Sequence, residues 1–173
     1  GKMYLVSKGS ATLYLDMDRR ISAFKNSPGL GTGFTSFAFH PEFETNGKLY
    51  TAHSENPETA PADFKMPNQA DSVALDGVIT EWTATDPTAN VFSGTGRELL
   101  RVELSGTIHG MQEIEFNPNP EPGEPDYGML YICIGDGGST IAGYPDNTSR
   151  LDSVLGTILR IDPMGTNSAN GNY

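Results

Sequence analysis

Three histidines, one cysteine and a scatter of loop aspartates are the residues of this chain whose types could do chemistry. They are His40, His53, His109 and Cys133, with Asp71, Asp76, Asp136, Asp146 and Asp152 in or near loops. An imidazole titrates near neutral pH, so it can take up or return a proton during a reaction. His109 precedes Gly110 at the start of a strand, and Asp136 lies in Gly135-Asp136-Gly137-Gly138. Read from the residues, His109 caps a turn or bonds a backbone carbonyl, and Asp136 forms a turn, since Asp-Gly favours turns. One His and one Asp do not by themselves specify a reaction.

The remaining candidates point away from catalysis. His40 precedes Pro41 in a turn whose second copy carries Asn117 in its place, which reads as a turn hydrogen bond. His53 falls within a strand and reads as a satisfied sheet residue. No spacing among the three histidines suggests zinc. Cys133 sits in the apolar run Leu130–Ile134 and reads as a small buried hydrophobe. A lone cysteine makes no internal disulfide, so redox does not fix the compartment. The aspartates offer oxygen ligands of the kind Ca²⁺ takes, but none shows EF-hand spacing, and Asp-rich loops are more often solvated turns. The expectation is no metal site.

The elements that must position these residues come as a phrase said twice. Phe39-His40-Pro41 followed by Gly47-Lys48-Leu49-Tyr50 matches Phe116-Asn117-Pro118 followed by Gly128-Met129-Leu130-Tyr131. Each copy is a strand, a proline-closed turn and a second strand announced by glycine. Repetition at long period means an array of similar sheets, and such arrays need at least about three units to bury their faces. The chain therefore reads as all-β, a partial β-propeller of about two to three four-stranded antiparallel blades in an incomplete ring, against the typical ~4–8 blades of a closed one.

Along the chain, Met3–Val6 and Thr12–Asp16 form a hairpin, and residues 1–20 read as the outer strands of a preceding blade. Residues 33–105 read as one full blade. Its strands are Phe34–Phe39, apolar enough to be a buried inner strand, then Lys48–Ser54, Val78–Thr83 and Glu98–Leu104. Asn26-Ser27-Pro28-Gly29 reads as loop, residues 55–75 as a long surface loop, and Ser93-Gly94-Thr95-Gly96 as a turn. Residues 109–163 read as most of a second blade, with strands Met111–Phe116, Met129–Ile134 and Thr157–Ile161 and a helical turn over Arg150–Leu155. Residues 1–173 thus make a single propeller fragment.

Composition excludes several partners. With 22 acidic against 11 basic residues the net charge is −11, which repels phosphate backbones, so nucleic acid is not an expected partner. No stretch approaches the ~18 apolar residues of a membrane span, and no basic and apolar leader marks a signal peptide. Unpaired sheet edges invite pairing with another copy, so a homo-oligomer is expected. The alternative is a monomer whose termini fold over the edges.

At these same residues the chain resembles a known family. Gly33-Phe34-Thr35-Ser36-Phe37-Ala38-Phe39-His40-Pro41-Glu42-Phe43 with Asn46-Gly47-Lys48-Leu49-Tyr50 is similar to the first-blade signature of the soluble glucose/sorbosone dehydrogenases. Leu130-Tyr131-Ile132-Cys133-Ile134-Gly135-Asp136-Gly137-Gly138 resembles a second marker of that family, and Leu155-Gly156-Thr157-Ile158-Leu159-Arg160-Ile161-Asp162-Pro163 a third. The likeness covers most of residues 30–163, about the first half of a family member. It implies a six-bladed, PQQ-dependent quinoprotein that oxidises sugars, mostly in the bacterial periplasm. The expected localisation is therefore periplasmic or secreted. Similar signatures occur in relatives not known as dehydrogenases, including hedgehog-interacting-type proteins.

The resemblance implies roles for two residues. His109 falls where the family has its base, which removes the hydroxyl proton at sugar C1 as hydride passes to the quinone of PQQ. Asp136 falls where a carboxylate orients that histidine. Other positions depart from the pattern. Gly31 stands where a glutamine or glutamate touches the cofactor, and Ile108 where a residue before the base is often polar. The basic residues and Ca²⁺-binding segment that hold PQQ belong to later blades than the chain contains. PQQ and Ca²⁺ are thus implied for the full-length family, while this chain is expected to bind neither and to be inactive by itself. The alternative reading is a non-catalytic propeller module that binds a carbohydrate or a protein.

Overall fold

A computed structural model of the chain describes residues 1–26, 29–67 and 72–173. Ser27 and Pro28 of the predicted loop, residues 68–70 of the long loop, and Asp71 among the calcium candidates lie outside the described residues.

The strands form three antiparallel sheets in chain order. The first pairs β1 (Lys2–Ser7) with β2 (Ser10–Asp16). The second runs β3 (Phe34–Phe39), β4 (Lys48–Glu55), β5 (Leu75–Ala84) and β6 (Gly94–Leu104). The third runs β7 (Met111–Phe116), β8 (Leu130–Ile134) and β9 (Thr157–Ile161). Two helical turns, α1 (Met17–Arg20) and α2 (Phe43–Asn46), and a 3₁₀ turn at Pro145–Ser149 interrupt the connections. The fold is the partial propeller expected from the repeat.

The repeated phrase is a repeated hairpin. Phe39 pairs with Leu49 across the first copy and Phe116 with Leu130 across the second. His40 Nδ1 accepts the Glu42 amide at 3.0 Å, and Asn117 Oδ1 accepts the Asn119 amide at 3.1 Å. The two side chains close the same turn, which is why one replaces the other. Gly47 ends α2 in the left-handed region at φ 67°, with its N–H donated to the Phe43 carbonyl. A Cβ there would stand 2.5 Å from the Ala84 carbonyl oxygen, so only glycine fits before β4.

Two cores hold the sheets together. Tyr50, Ile79 and Leu100 of the second sheet pack with Met111, Ile114 and Ile132 of the third. Each fully buried aliphatic side chain contributes roughly 1.5–3 kcal/mol. β3 and β4 both lie against β7, which places the first strands of the two sheets side by side. A second cluster joins Met3, Leu15 and Met17 to Leu49, Trp82 and Phe92.

The structure corrects several readings. Phe34–Phe39 is not a buried strand: Phe37 is 46% and Phe39 41% exposed. Ser36 and Ala38 take the face towards the third sheet. The aromatic face meets the two-stranded first sheet, which covers it only partly and leaves a cavity of about 310 Å³ lined by Tyr4, Tyr14, Phe37 and Phe39. Cys133 is half-buried, because alternation along β8 puts it on the face opposite the buried Leu130, Ile132 and Ile134. Gly94 and Gly96 do not turn the chain but begin β6. A Cβ on Gly96 would lie 2.7 Å from the Trp82 ring, and one on Gly94 would strike the Thr83 carbonyl. These glycines permit close approach across the sheet. The turn lies earlier, where Asp86 accepts hydrogen bonds from the Thr88 amide and hydroxyl. The helical turn expected at Arg150–Leu155 forms instead at Pro145–Ser149, where Pro145 pre-sets the first φ. Among the described residues no helix is long and apolar enough to cross a membrane.

Candidate functional site

The backbone around His109 is held as firmly as its ring. Leu30, at φ 56°, accepts the His109 amide at 2.6 Å, and Gly31 accepts that of Gly110 at 3.0 Å. The Thr32 hydroxyl lies 2.9 Å from both the Gly29 and the Thr107 carbonyl, tying the two segments further. On the other side the His109 carbonyl accepts the Gly137 amide at 2.8 Å, and Gly110 accepts that of Gly135 at 2.9 Å. His109 itself adopts φ 53°, which is uncommon outside glycine. Segments 29–33, 106–110 and 135–138 thus form one laced platform at the ends of β6 and β8.

On this platform His109 Nδ1 lies 2.9 Å from Asp136 Oδ1. The His109 side chain is 46% exposed and that of Asp136 19%. Asp136 also accepts the Gly138 amide at 3.1 Å and the Thr140 amide at 3.3 Å. Burial would raise its pKa, but the Gly138 amide, His109 and Thr140 outweigh this and hold the carboxyl below its ordinary range. An ionised carboxylate only accepts, so Nδ1 donates to it, and in the neutral ring this leaves the lone pair on Nε2. The arrangement is an oriented imidazole whose second ring nitrogen has no hydrogen-bond partner among the described residues.

The other candidates are not brought to this platform. His40 closes its turn. His53 is 1% exposed, with Nε2 3.0 Å from Glu55 Oε1 and Nδ1 buried without a partner among the described residues, so the expected sheet residue is only partly satisfied there. Asp76 is not in a loop but in β5, where Arg101 holds it at 2.7 Å. Asp146 lies in the 3₁₀ turn, and Asp152 pairs with Arg150 at 2.6 Å. Among the described residues no three His, Cys, Asp or Glu side chains come together as a metal-holding group.

The arginines and Lys48 are committed elsewhere. Arg101, 2% exposed, pairs with Glu55, Asp76 and Glu98 at 2.6–2.7 Å. Arg97 and Lys48 share Glu81, Arg160 holds Asp126, and Arg19 faces Asp16. Arg20 donates to the Phe92 and Gly94 carbonyls and stacks over the Phe92 ring. None of the hydrogen bonds at the His109–Asp136 pair involves a cation. A tricarboxylate quinone needs such cations, so the described residues do not fit PQQ without help from elsewhere.

Sequence reasoning passed over one neighbour of the pair. Gln112 is exposed at the start of β7, and its carboxamide lies over the Cα atoms of Gly31 and Gly135. Its one legible signal was a polar residue out of phase with the buried Met111 and Ile114.

No family model matches the chain. It is 30% identical over 157 residues to Hedgehog-interacting protein of Mus musculus and of Homo sapiens, in each case over 86% of this chain but only 19% of the relative. Among solved structures, an oxidoreductase described as a glucose dehydrogenase from Thermus thermophilus superposes with TM-score 0.60 at 18% identity. The match covers 93% of this chain and 37% of that one. The PQQ-bound aldose sugar dehydrogenase of Streptomyces coelicolor gives TM-score 0.59 at 18% identity, over 99% of this chain and 42% of that one. The chain therefore has the fold of a part of these sugar dehydrogenases.

Proposed function

We propose that this chain is the proton-accepting portion of a sugar dehydrogenase-like propeller, inactive as an isolated polypeptide. The observation that carries the reading is the His109–Asp136 pair at 2.9 Å, with Nε2 left free, in a fold shared with glucose and aldose sugar dehydrogenases. Asp136 fixes the ring, and Nε2 takes the proton of a sugar hydroxyl as that carbon is oxidised. The electron acceptor must be anchored by residues outside this set, because the arginines here are already engaged. The open faces at Phe37, Phe39 and Ile158 fit self-association of the chain, and the likeness to these dehydrogenases suggests a periplasmic or secreted setting.

A second reading is a recognition module that binds a carbohydrate or protein without redox chemistry. The 30% identity to Hedgehog-interacting protein favours it, as do Gly31 and Ile108 beside the pair.

The test has two arms. Dye-linked sugar oxidation with added PQQ and Ca²⁺ is expected to stay at background, and turnover that vanishes in His109→Ala would overturn the claim of inactivity. Glucose is expected to move the ¹⁵N resonances of the His109 ring. An unmoved ring at molar sugar would leave the pair as a structural turn.

A further inference from the structure

A cavity of about 450 Å³ opens beside β5 and β6, and no residue of the His109–Asp136 platform lines it. Alternation along β5 puts Thr80 and Trp82 on one face, while Ile79 enters the core shared with the third sheet. On β6, Glu98 stands opposite Thr80 and Gly96 opposite Trp82. All four line the cavity, together with Arg20 and Glu55.

At the Glu98 end the protein has no donor left to give. The Arg101 guanidinium spends all five of its N–H groups on Glu98, Glu55, Asp76 and Thr59. Three carboxylates face one guanidinium, so negative charge is in excess. Thr80 is 6% exposed, and its hydroxyl has no hydrogen-bond partner among the described residues. The Thr51 hydroxyl across the sheet is already taken by the Trp82 indole N–H at 2.9 Å. This end therefore presents oxygen lone pairs and negative charge, which suit an ammonium group.

The other end is the reverse. Arg20 donates to the Gly94 and Phe92 carbonyls at 3.3 Å and stacks over the Phe92 ring, but pairs with no carboxylate among the described residues. Its remaining N–H groups can serve an anion. Gly94, which Arg20 reaches, and Glu98 are four residues apart on β6, about 13 Å at ~3.3 Å per residue. A contact of about 3 Å at each end leaves about 7 Å for a ligand. An α-amino acid carries both charges on one carbon and is too short.

We propose that this cavity binds a short zwitterion whose ammonium and carboxylate are held apart, as in an ω-amino acid or a dipeptide. The ammonium lies at Glu98 and Thr80, the carboxylate at Arg20, and the connecting chain passes Trp82.

Trp82 is the chain's single tryptophan, so its emission reports on the cavity directly. The full chain is titrated with 6-aminohexanoate, diglycine, glycine, hexylamine and hexanoate, read by emission and by calorimetry. At least one of the first two is expected to bind saturably, and the tighter of them tells an ω-amino acid from a dipeptide. Glycine, hexylamine and hexanoate should each bind about tenfold more weakly, the scale of one lost charge-assisted contact. Arg20→Gln should bring the zwitterion down to the level of hexylamine and leave hexylamine unchanged. Thr80→Val keeps the shape, removes the hydroxyl, and should weaken the zwitterion and hexylamine alike while sparing hexanoate. Hexylamine that binds the wild type as tightly as the zwitterion overturns the proposal. So does a zwitterion that binds both variants like the wild type, or one that produces neither an emission change nor heat.

Discussion

Arg101 and Asp76 meet at 2.7 Å between β6 and β5, each side chain only 2% exposed. The same guanidinium reaches Glu55 at 2.7 Å and Glu98 at 2.6 Å, and its remaining donor goes to the Thr59 hydroxyl at 3.2 Å. One cation therefore pairs with two buried carboxylates and a half-buried one. Removing it strands charge in a dry interior, at a cost of about 3–5 kcal/mol. Arg101→Met is expected to lower the urea midpoint accordingly, whereas Glu98→Gln, at the exposed end of the network, should cost under about 1 kcal/mol. Equal losses in the two variants would show that the network does not depend on burial.

Acid should unfold the chain through the same cluster. Burial would raise the Glu55 pKa, but hydrogen bonds from His53 and Arg101 bring it down from its ordinary 4.5 to about 2. A depressed carboxylate contributes stability that is complete above its unfolded pKa and lost as pH falls through the folded one. For Glu55 the loss runs from about pH 4.5 down to about pH 2. Glu81, Asp126 and Asp136, also lowered, act with the same sign, while Asp76, raised mainly by burial, opposes them. Urea midpoints should drop between about pH 5 and about pH 2, and Glu55→Gln should flatten that drop.

Gly47 and Gly9 separate backbone strain from collision. Both have positive φ, 67° and 79°. A Cβ at Gly47 meets the Ala84 carbonyl at 2.5 Å, while one at Gly9 meets nothing within 4 Å. Gly9→Ala should cost about 1–2 kcal/mol from left-handed strain. Gly47→Ala should cost clearly more, read as a larger fall in melting temperature. Similar falls would mean that the turn before β4 yields.

The Asp136 carboxylate sets the His109 tautomer. Asp136→Asn offers an amide N–H to Nδ1 and should shift the ring towards the Nε2–H form, which holds no base on its outer side. Imidazole ¹⁵N shifts report this directly. An unchanged tautomer would mean that the platform backbone orients the ring unaided.

Self-association is expected through the uncovered faces. Ile158 on β9 is 66% exposed and Phe37 on β3 46%. Sedimentation at increasing concentration should show dimers or larger species, and Ile158→Lys or Phe37→Lys should reduce them. A wild-type monomer at high concentration would remove the proposal.

The sequence by itself determined the strands and their order. Alternation and punctuation are local, so Phe34–Phe39, Met111–Phe116 and Thr157–Ile161 were legible residue for residue. The doubled hairpin, with His40 exchanging for Asn117, was legible because the same turn needs the same acceptor. What only the tertiary structure decided was every relation across sheets. Gly94 and Gly96 look like turn formers until Trp82 and the Thr83 carbonyl are seen lying against them. Asp76 looks like a loop carboxylate until Arg101, 25 residues on, is found opposite. Gln112 is only a polar residue between buried Met111 and Ile114 until its place over Gly31 and Gly135 is seen. Local conformation is written in neighbours along the chain, but burial, charge pairing and the shape of a niche depend on segments that meet only on folding.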